Sequence, residues 1–183
     1  MPSLEAARKH MDDAIEALRR EFTSVRTGKA TPALLDTVRV EAYGAQMPLN
    51  QVASVSAPEA RLLVVQPWDS NMLGPVEKAI QTADLGLNPS NDGKIIRLPI
   101  PPLTEERRRE YVKLLHKMAE EGRVSIRHAR KEANDEIKQR QKDGELSEDE
   151  ARRQQDEVQK LTDRQIQLVD DLLKHKEAEV MEV

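Results

Sequence analysis

Nine of the ten prolines in this chain fall between residues 31 and 103, and that clustering restricts the possible folds more than any other feature. Proline lacks a backbone donor and clashes with the preceding helical turn, so no long helix can run through this stretch. Charge changes at the same borders. The segment holds 12 charged residues in 73, and the flanks hold the other 50 in 110. Two abrupt shifts in composition read as one domain inserted into another. The expected fold is therefore α+β. A long antiparallel three-helix bundle is built from residues 1–30 and 104–183, and a small, mostly β, α/β domain at 31–103 is joined to it by two crossings.

The flanks carry helical periodicity. Leu4, Ala7, Met11, Ile15 (or Ala14), Leu18, Phe22 and Val25 alternate steps of three and four, which places one stripe on one helix face, with Thr27-Gly28 as a stop. After the paired Pro101 and Pro102, Thr104-Glu105-Glu106 suits a helix start, a hydroxyl cap followed by acids at the positive end of the dipole. A second stripe then runs Val112, Leu115, Ala119, Gly122, Ile126, Ala129, Ala133 and Ile137, and Lys142-Asp143-Gly144 ends it. Ser147 with Glu150 matches a capping box, and Val158, Leu161, Ile166, Val169, Leu172 and Val180 form the third stripe. None of these helices can bury its stripe alone, and a bundle of three satisfies all of them.

The insert alternates with period two over residues 37–43, ending at Gly44, and has a continuous apolar run at residues 61–66. A short helix is expected from Pro75 to Ile80, and a last strand over residues 94–98. The crossings lie at Lys29, Ala30, Thr31 and Pro32 on one side and at Pro101, Pro102 and Leu103 on the other. A double linker permits rotation about one line while restricting twist, so these seven residues are the expected hinge.

Several kinds of chemistry are excluded. With no cysteine there is no disulfide, thiol nucleophile or thiolate-bound metal. His10, His116, His128 and His175 never take metal-ligand spacing, and the seven glycines form no phosphate loop, so no cofactor and no metal are expected. The abundant acids of the flanks read as a solvated face, which leaves a hydrolase reading without support. The N-terminus has no basic and apolar leader, no apolar run approaches a membrane span, and the expected compartment is the cytoplasm. A formal charge of −4 argues against a wholly basic nucleic-acid binder but leaves room for a locally basic face.

The second helix carries such a face. At ~100° per residue, Arg109, Lys113, His116, Arg123, Arg127, Arg130 and Lys138 form one stripe, interrupted by Glu120 and continued by Asn134. It lies about 100° around from the apolar stripe and is expected to face outward. The bland alternative is a solvated face laced with i,i+4 pairs. Arginine nevertheless dominates where lysine would solubilise equally, and the guanidinium offers a flat fork for phosphate. A rigid arginine row fits shape-based contact with RNA backbone, and the absence of interleaved aromatics argues against base stacking.

The chain resembles the bacterial ribosome recycling factor family over essentially its whole length. The resemblance rests on runs at residues 25–30 (Val-Arg-Thr-Gly-Lys-Ala), 83–89, 96–108, 129–135 (Ala-Arg-Lys-Glu-Ala-Asn-Asp), 156–163 and 176–179. It implies a non-enzymatic factor that occupies the intersubunit space of the post-termination ribosome, with the bundle against large-subunit ribosomal RNA. Together with elongation factor G, which hydrolyses the GTP, such a factor separates the subunits. A monomer with no membrane partner is expected. The family's RNA-contacting arginines correspond by motif to Arg108, Arg123, Arg127 and Arg130, and Lys131 follows in the same run. Two departures stand out. Trp68 occupies a position expected to hold a smaller aromatic, and Glu132 follows Lys131 where some members carry a second base. A competing reading, a coiled-coil holdase for unfolded chains, would need an exposed apolar patch, and Leu114 and Met118 are too sparse to supply one.

Overall fold

The computed structural model describes residues 2–182. It separates into two compact units: the chain up to Thr27 together with the chain from Glu105 onward, and Gly28–Thr104. In chain order the elements are helix α1 (Pro2–Thr23), strands β1 (Arg39–Ala42), β2 (Ala45–Pro48), β3 (Ala53–Glu59) and β4 (Leu62–Pro67), helix α2 (Leu73–Thr82), strands β5 (Ser90–Asn91) and β6 (Ile96–Pro99), and helices α3 (Glu105–Lys142) and α4 (Glu148–Met181). Short 3-10 turns occupy Pro32–Leu35, Leu49–Gln51 and Ser70–Met72.

The first unit is the three-helix bundle. Its core is one continuous cluster in which Met11 and Leu18 of α1, Leu115, Ile126 and Ile137 of α3, and Val158, Val169 and Val180 of α4 are almost wholly buried. Each such side chain contributes roughly 1.5–3 kcal/mol by leaving water, so the paired seams outweigh any helix propensity. The α4 stripe differs from expectation at two points. Ile166 is only half-buried. Leu173, not Leu172, is fully buried, because it lies four residues after Val169 and seven before Val180, and Leu172 falls about 100° to one side. Thr162 is also buried, its hydroxyl donating to the Val158 carbonyl at 2.7 Å.

Helix α1 stops earlier than Thr27-Gly28. The Thr23 hydroxyl donates to the Arg19 carbonyl at 2.9 Å and the Ser24 hydroxyl to the Glu21 carbonyl at 2.6 Å. Hydroxyl side chains of this kind compete with the helical ladder and end it. The turn between α3 and α4 is tightly specified. The Glu145 N–H reaches back to the Arg140 carbonyl and the Gly144 N–H to the Gln141 carbonyl, a Schellman closure that uses Gly144 at φ +78°. Three residues later the capping box is complete. Ser147 Oγ accepts from the Glu150 N–H at 3.2 Å, and Glu150 Oε2 accepts from the Ser147 N–H at 2.8 Å. These bonds hold the Glu150 carboxyl below its ordinary pKa.

The second unit has a four-stranded antiparallel sheet in the order β3-β4-β6-β5 and a separate hairpin of β1 and β2. Leu63 and Val65 of β4, Ile96 and Leu98 of β6, Val40 of β1 and Val76 and Ile80 of α2 share its core. Strands β2, β3 and β5 were not signalled by alternation. β2 reads Ala-Gln-Met-Pro, β3 contains Pro58 and a register shift, and β5 has two residues. The last strand starts at Ile96, two residues later than its expected start at Lys94. The Asp92 carboxylate accepts from the backbone N–H groups of Ile95 and Lys94 and so turns the chain there. These bonds, with help from Arg97, lower the Asp92 pKa.

The ends of this unit are drawn together. The Ala30 N–H donates to the Ala60 carbonyl at 2.7 Å and the Ile100 N–H to the Arg61 carbonyl at 2.8 Å, so both the entering and the leaving segments bind the same β3–β4 turn. Gly28, at φ +78°, lies against Leu103, where a Cβ would sit 3.5 Å from the Leu103 side chain.

Candidate nucleic-acid interface

The candidate stripe lies on α3, the longest helix, and the bundle's register orients it. Arg123 faces Asp170 of α4 and His116 faces Glu177, so the two helices run in opposite directions with the stripe along their shared flank. The stripe is consequently not turned outward over its full width. A position 100° from the seam of a three-helix bundle meets the shoulder of the next helix, and the near edge of the stripe folds onto α4.

Arg123 shows this most clearly. Its Nε and Nη2 donate to Asp170 Oδ1 at 3.0 and 2.6 Å, its Nη1 donates to Glu120 Oε2 at 3.2 Å, and its side chain is only 20% exposed. Burial opposes its charge, but the bonds to the two carboxylates prevail and raise its pKa. Arg127 Nη2 donates to Glu120 Oε1 at 2.5 Å. The Glu120 carboxyl is held below its ordinary pKa, by Arg127 first and Arg123 second. Arg109 is paired with Glu105 one turn away at 2.5 Å.

The other basic residues of α3 stand differently. Among the described residues Arg130, Lys113, Lys131 and Lys138 have no ion-pair or hydrogen-bond partner. Arg130 is half-buried, while the three lysines are exposed. The Asn134 Oδ1 beside them is buried without a partner. Arg108 lies seven residues before the buried Leu115, on the seam side of the helix, and its Nε is buried without a partner. The outer surface of α3 therefore combines unpaired cations with a neutralised central network running Asp170–Arg123–Glu120–Arg127. The two acids of that network escaped the sequence reading for different reasons. Glu120 was visible only as an interruption, and Asp170 meets Arg123 through a cross-helix register that no local pattern encodes.

The hinge residues divide unevenly. Ala30 is buried in the small unit's core and Leu103 packs at Gly28, while Pro32 opens a 3-10 turn and Pro101 and Pro102 are exposed. Lys29 and Thr31 lie between Gly28 and that turn, and both are exposed. The unit boundaries fall at Thr27/Gly28 and Thr104/Glu105.

Comparison with known proteins agrees with the helical layout. A sequence profile described as Ribosome recycling factor matches residues 18–181. The ribosome-recycling factor of Carboxydothermus hydrogenoformans is 59% identical over 180 residues, covering 98% of this chain and 97% of that one. That of Rubrobacter xylanophilus is 56% identical over the same shares. Among solved structures, a solution structure of the ribosome recycling factor matches with a TM-score of 0.79 at 42% identity, covering 100% of this chain and 97% of the other. A second, a T. thermophilus ribosome recycling factor described with E. coli elongation factor G bound to the E. coli post-termination complex, matches with a TM-score of 0.64 at 50% identity over 98% and 97%. With the profile and the relatives agreeing over nearly the entire chain, this protein belongs to the ribosome recycling factor family.

Proposed function

We propose that this protein binds the post-termination ribosome in the intersubunit space and, with elongation factor G and GTP, promotes its separation into subunits. The observation that carries this reading is the similarity along almost the full chain, joined to the unpaired cations on the outer surface of α3. In it the bundle rests on large-subunit ribosomal RNA through Arg130, Arg127, Lys131, Lys113 and Arg109, with Arg123 and Arg108 positioned at the edge of the contact. Positive charge on a rigid helix suits RNA backbone recognised by shape. The protein acts as a monomer in the cytoplasm and performs no catalysis of its own, GTP hydrolysis belonging to elongation factor G. The small unit meets elongation factor G, and changes of angle are taken up at the two crossings, Lys29, Ala30, Thr31 and Pro32 on one side and Pro101, Pro102 and Leu103 on the other.

Light scattering from post-termination ribosomes tests this directly. Scattering should fall when the protein, elongation factor G and GTP are all present, and should stay level when any one is omitted. No fall with the complete set overturns the reading.

A further inference from the structure

Glu120 stands in the middle of the candidate RNA surface, and its two oxygens are shared between two arginines of that surface. Oε1 accepts from Arg127 Nη2 at 2.5 Å and Oε2 from Arg123 Nη1 at 3.2 Å. The pair with Arg127 spans seven residues. Two turns of helix are about 11 Å, so both side chains must lie along the helix surface toward one another to meet. Arg123 has a second carboxylate, Asp170, and remains paired if Glu120 leaves. Arg127 has no other partner among the described residues. Glu120 itself is about half exposed, so nothing in the packing requires its charge.

A carboxylate oxygen bonded to a guanidinium N–H makes the same kind of charge-assisted bond that a phosphate oxygen would make there. We infer that Glu120 is an internal phosphate mimic, a positioning residue that engages the Arg127 Nη2 donor in the free protein and yields it to an RNA phosphate on binding. This inference rests on the RNA-binding reading of α3. The exchange replaces one charge-assisted bond by another and leaves Glu120 with Arg123. Arg127 is thereby kept extended along the stripe. An RNA gains from Arg127 only when it brings a phosphate already placed to displace the carboxylate. A loosely held or randomly placed phosphate gains little, so the acid lowers affinity for RNA in general more than for the cognate surface.

The test compares the full-length protein with Glu120→Gln, Arg127→Ala and the double variant, each titrated against purified large ribosomal subunits and against an unrelated RNA duplex across a salt series. Glutamine keeps the length and an acceptor but removes the competing charge. Glu120→Gln should tighten binding to the unrelated duplex about two- to fivefold, the range expected for an exposed ion pair. It should also reduce the preference for the large subunit. The log–log salt slope should steepen toward one further phosphate, roughly 0.7–0.9 of a unit, because Arg127 is then free to neutralise a phosphate of the duplex. Arg127→Ala should cancel all three effects. A purely structural Glu120 gives the opposite pattern, in which Glu120→Gln binds no tighter and leaves the slope unchanged, and that outcome overturns the inference. Failure of the unaltered protein to bind large subunits would instead overturn the RNA reading on which it rests.

Discussion

At the scale of single residues, Arg130 and Arg123 share a helix and a side chain chemistry yet hold different positions. Arg123 is locked by two carboxylates, whereas Arg130 is half-buried with no partner among the described residues. A guanidinium with its stem packed and its fork free is prepared for an external anion. Arg130→Ala is therefore expected to weaken large-subunit binding about tenfold or more, the value of one charge-assisted hydrogen bond of roughly 1.5 kcal/mol. Its thermal midpoint should stay within about 2 °C of the parent, as for surface substitutions generally. Sedimentation binding and melting curves check both, and unchanged affinity in the Arg127→Ala/Arg130→Ala double variant would remove these residues from the contact. Gly122 gives a prediction of the other sign. It sits inside α3, where a Cβ would meet only the Leu18 Cδ2 at 3.5 Å, an ordinary contact. Gly122→Ala should stabilise the bundle by about 0.5–1 kcal/mol, measurable by urea unfolding.

At the scale of elements, helix ends decide how much of this fold could be read in advance. The start of α4 was legible because Ser147 and Glu150 satisfy each other within four residues, a local rule that needs no tertiary context. The end of α1 was not, because Gly28 advertised a stop while Thr23 and Ser24 made one earlier. The same contrast separates the strands. β4 announced itself as a buried apolar run, but β2, β3 and β5 owe their conformation to neighbours along the sheet. In the candidate site, the α3 stripe was a matter of spacing, and its neutralisation by Asp170 depended on packing across 47 residues of sequence.

Ser147→Ala should destabilise the bundle by about 1 kcal/mol. The capping acid adds a pH dependence. Glu150 and Asp92 have folded pKa values below their unfolded ones, so their contribution is present above the ordinary carboxylate range near about 4 and is lost as pH falls through the lower folded values. Glu150→Gln should flatten that acid loss in the bundle and leave stability above pH ~6 less favourable than in the parent. Circular dichroism melts across pH 3–7 would show it, and parallel curves for both proteins would refute it.

At the scale of the whole molecule, two separate hydrophobic cores in one chain imply two unfolding units. The fragment 28–104 carries a complete core, and Gly28 lies beside Leu103 at its two ends. It should fold alone with dispersed amide resonances and cooperative melting. A collapsed, poorly dispersed spectrum would show that the bundle is needed to hold it together.

The interruption of the bundle also sets a timetable for synthesis. Helix α1 leaves the ribosome first, yet the seams that cover Met11 and Leu18 lie in α3 and α4, beginning at Glu105. At roughly 5–20 residues per second, α1 must wait on the order of ten seconds for the end of α3, an amphipathic segment without a partner. The insert, whose hydrophobic core is built from its own residues, can be finished in that interval. Protease probing of nascent chains halted near residue 135, with 28–104 clear of the exit tunnel, should find the insert protected and α1 still cleavable. Protection of both at that length would mean that α1 finds shelter elsewhere. In this chain the first helix made is expected to be among the last to be buried.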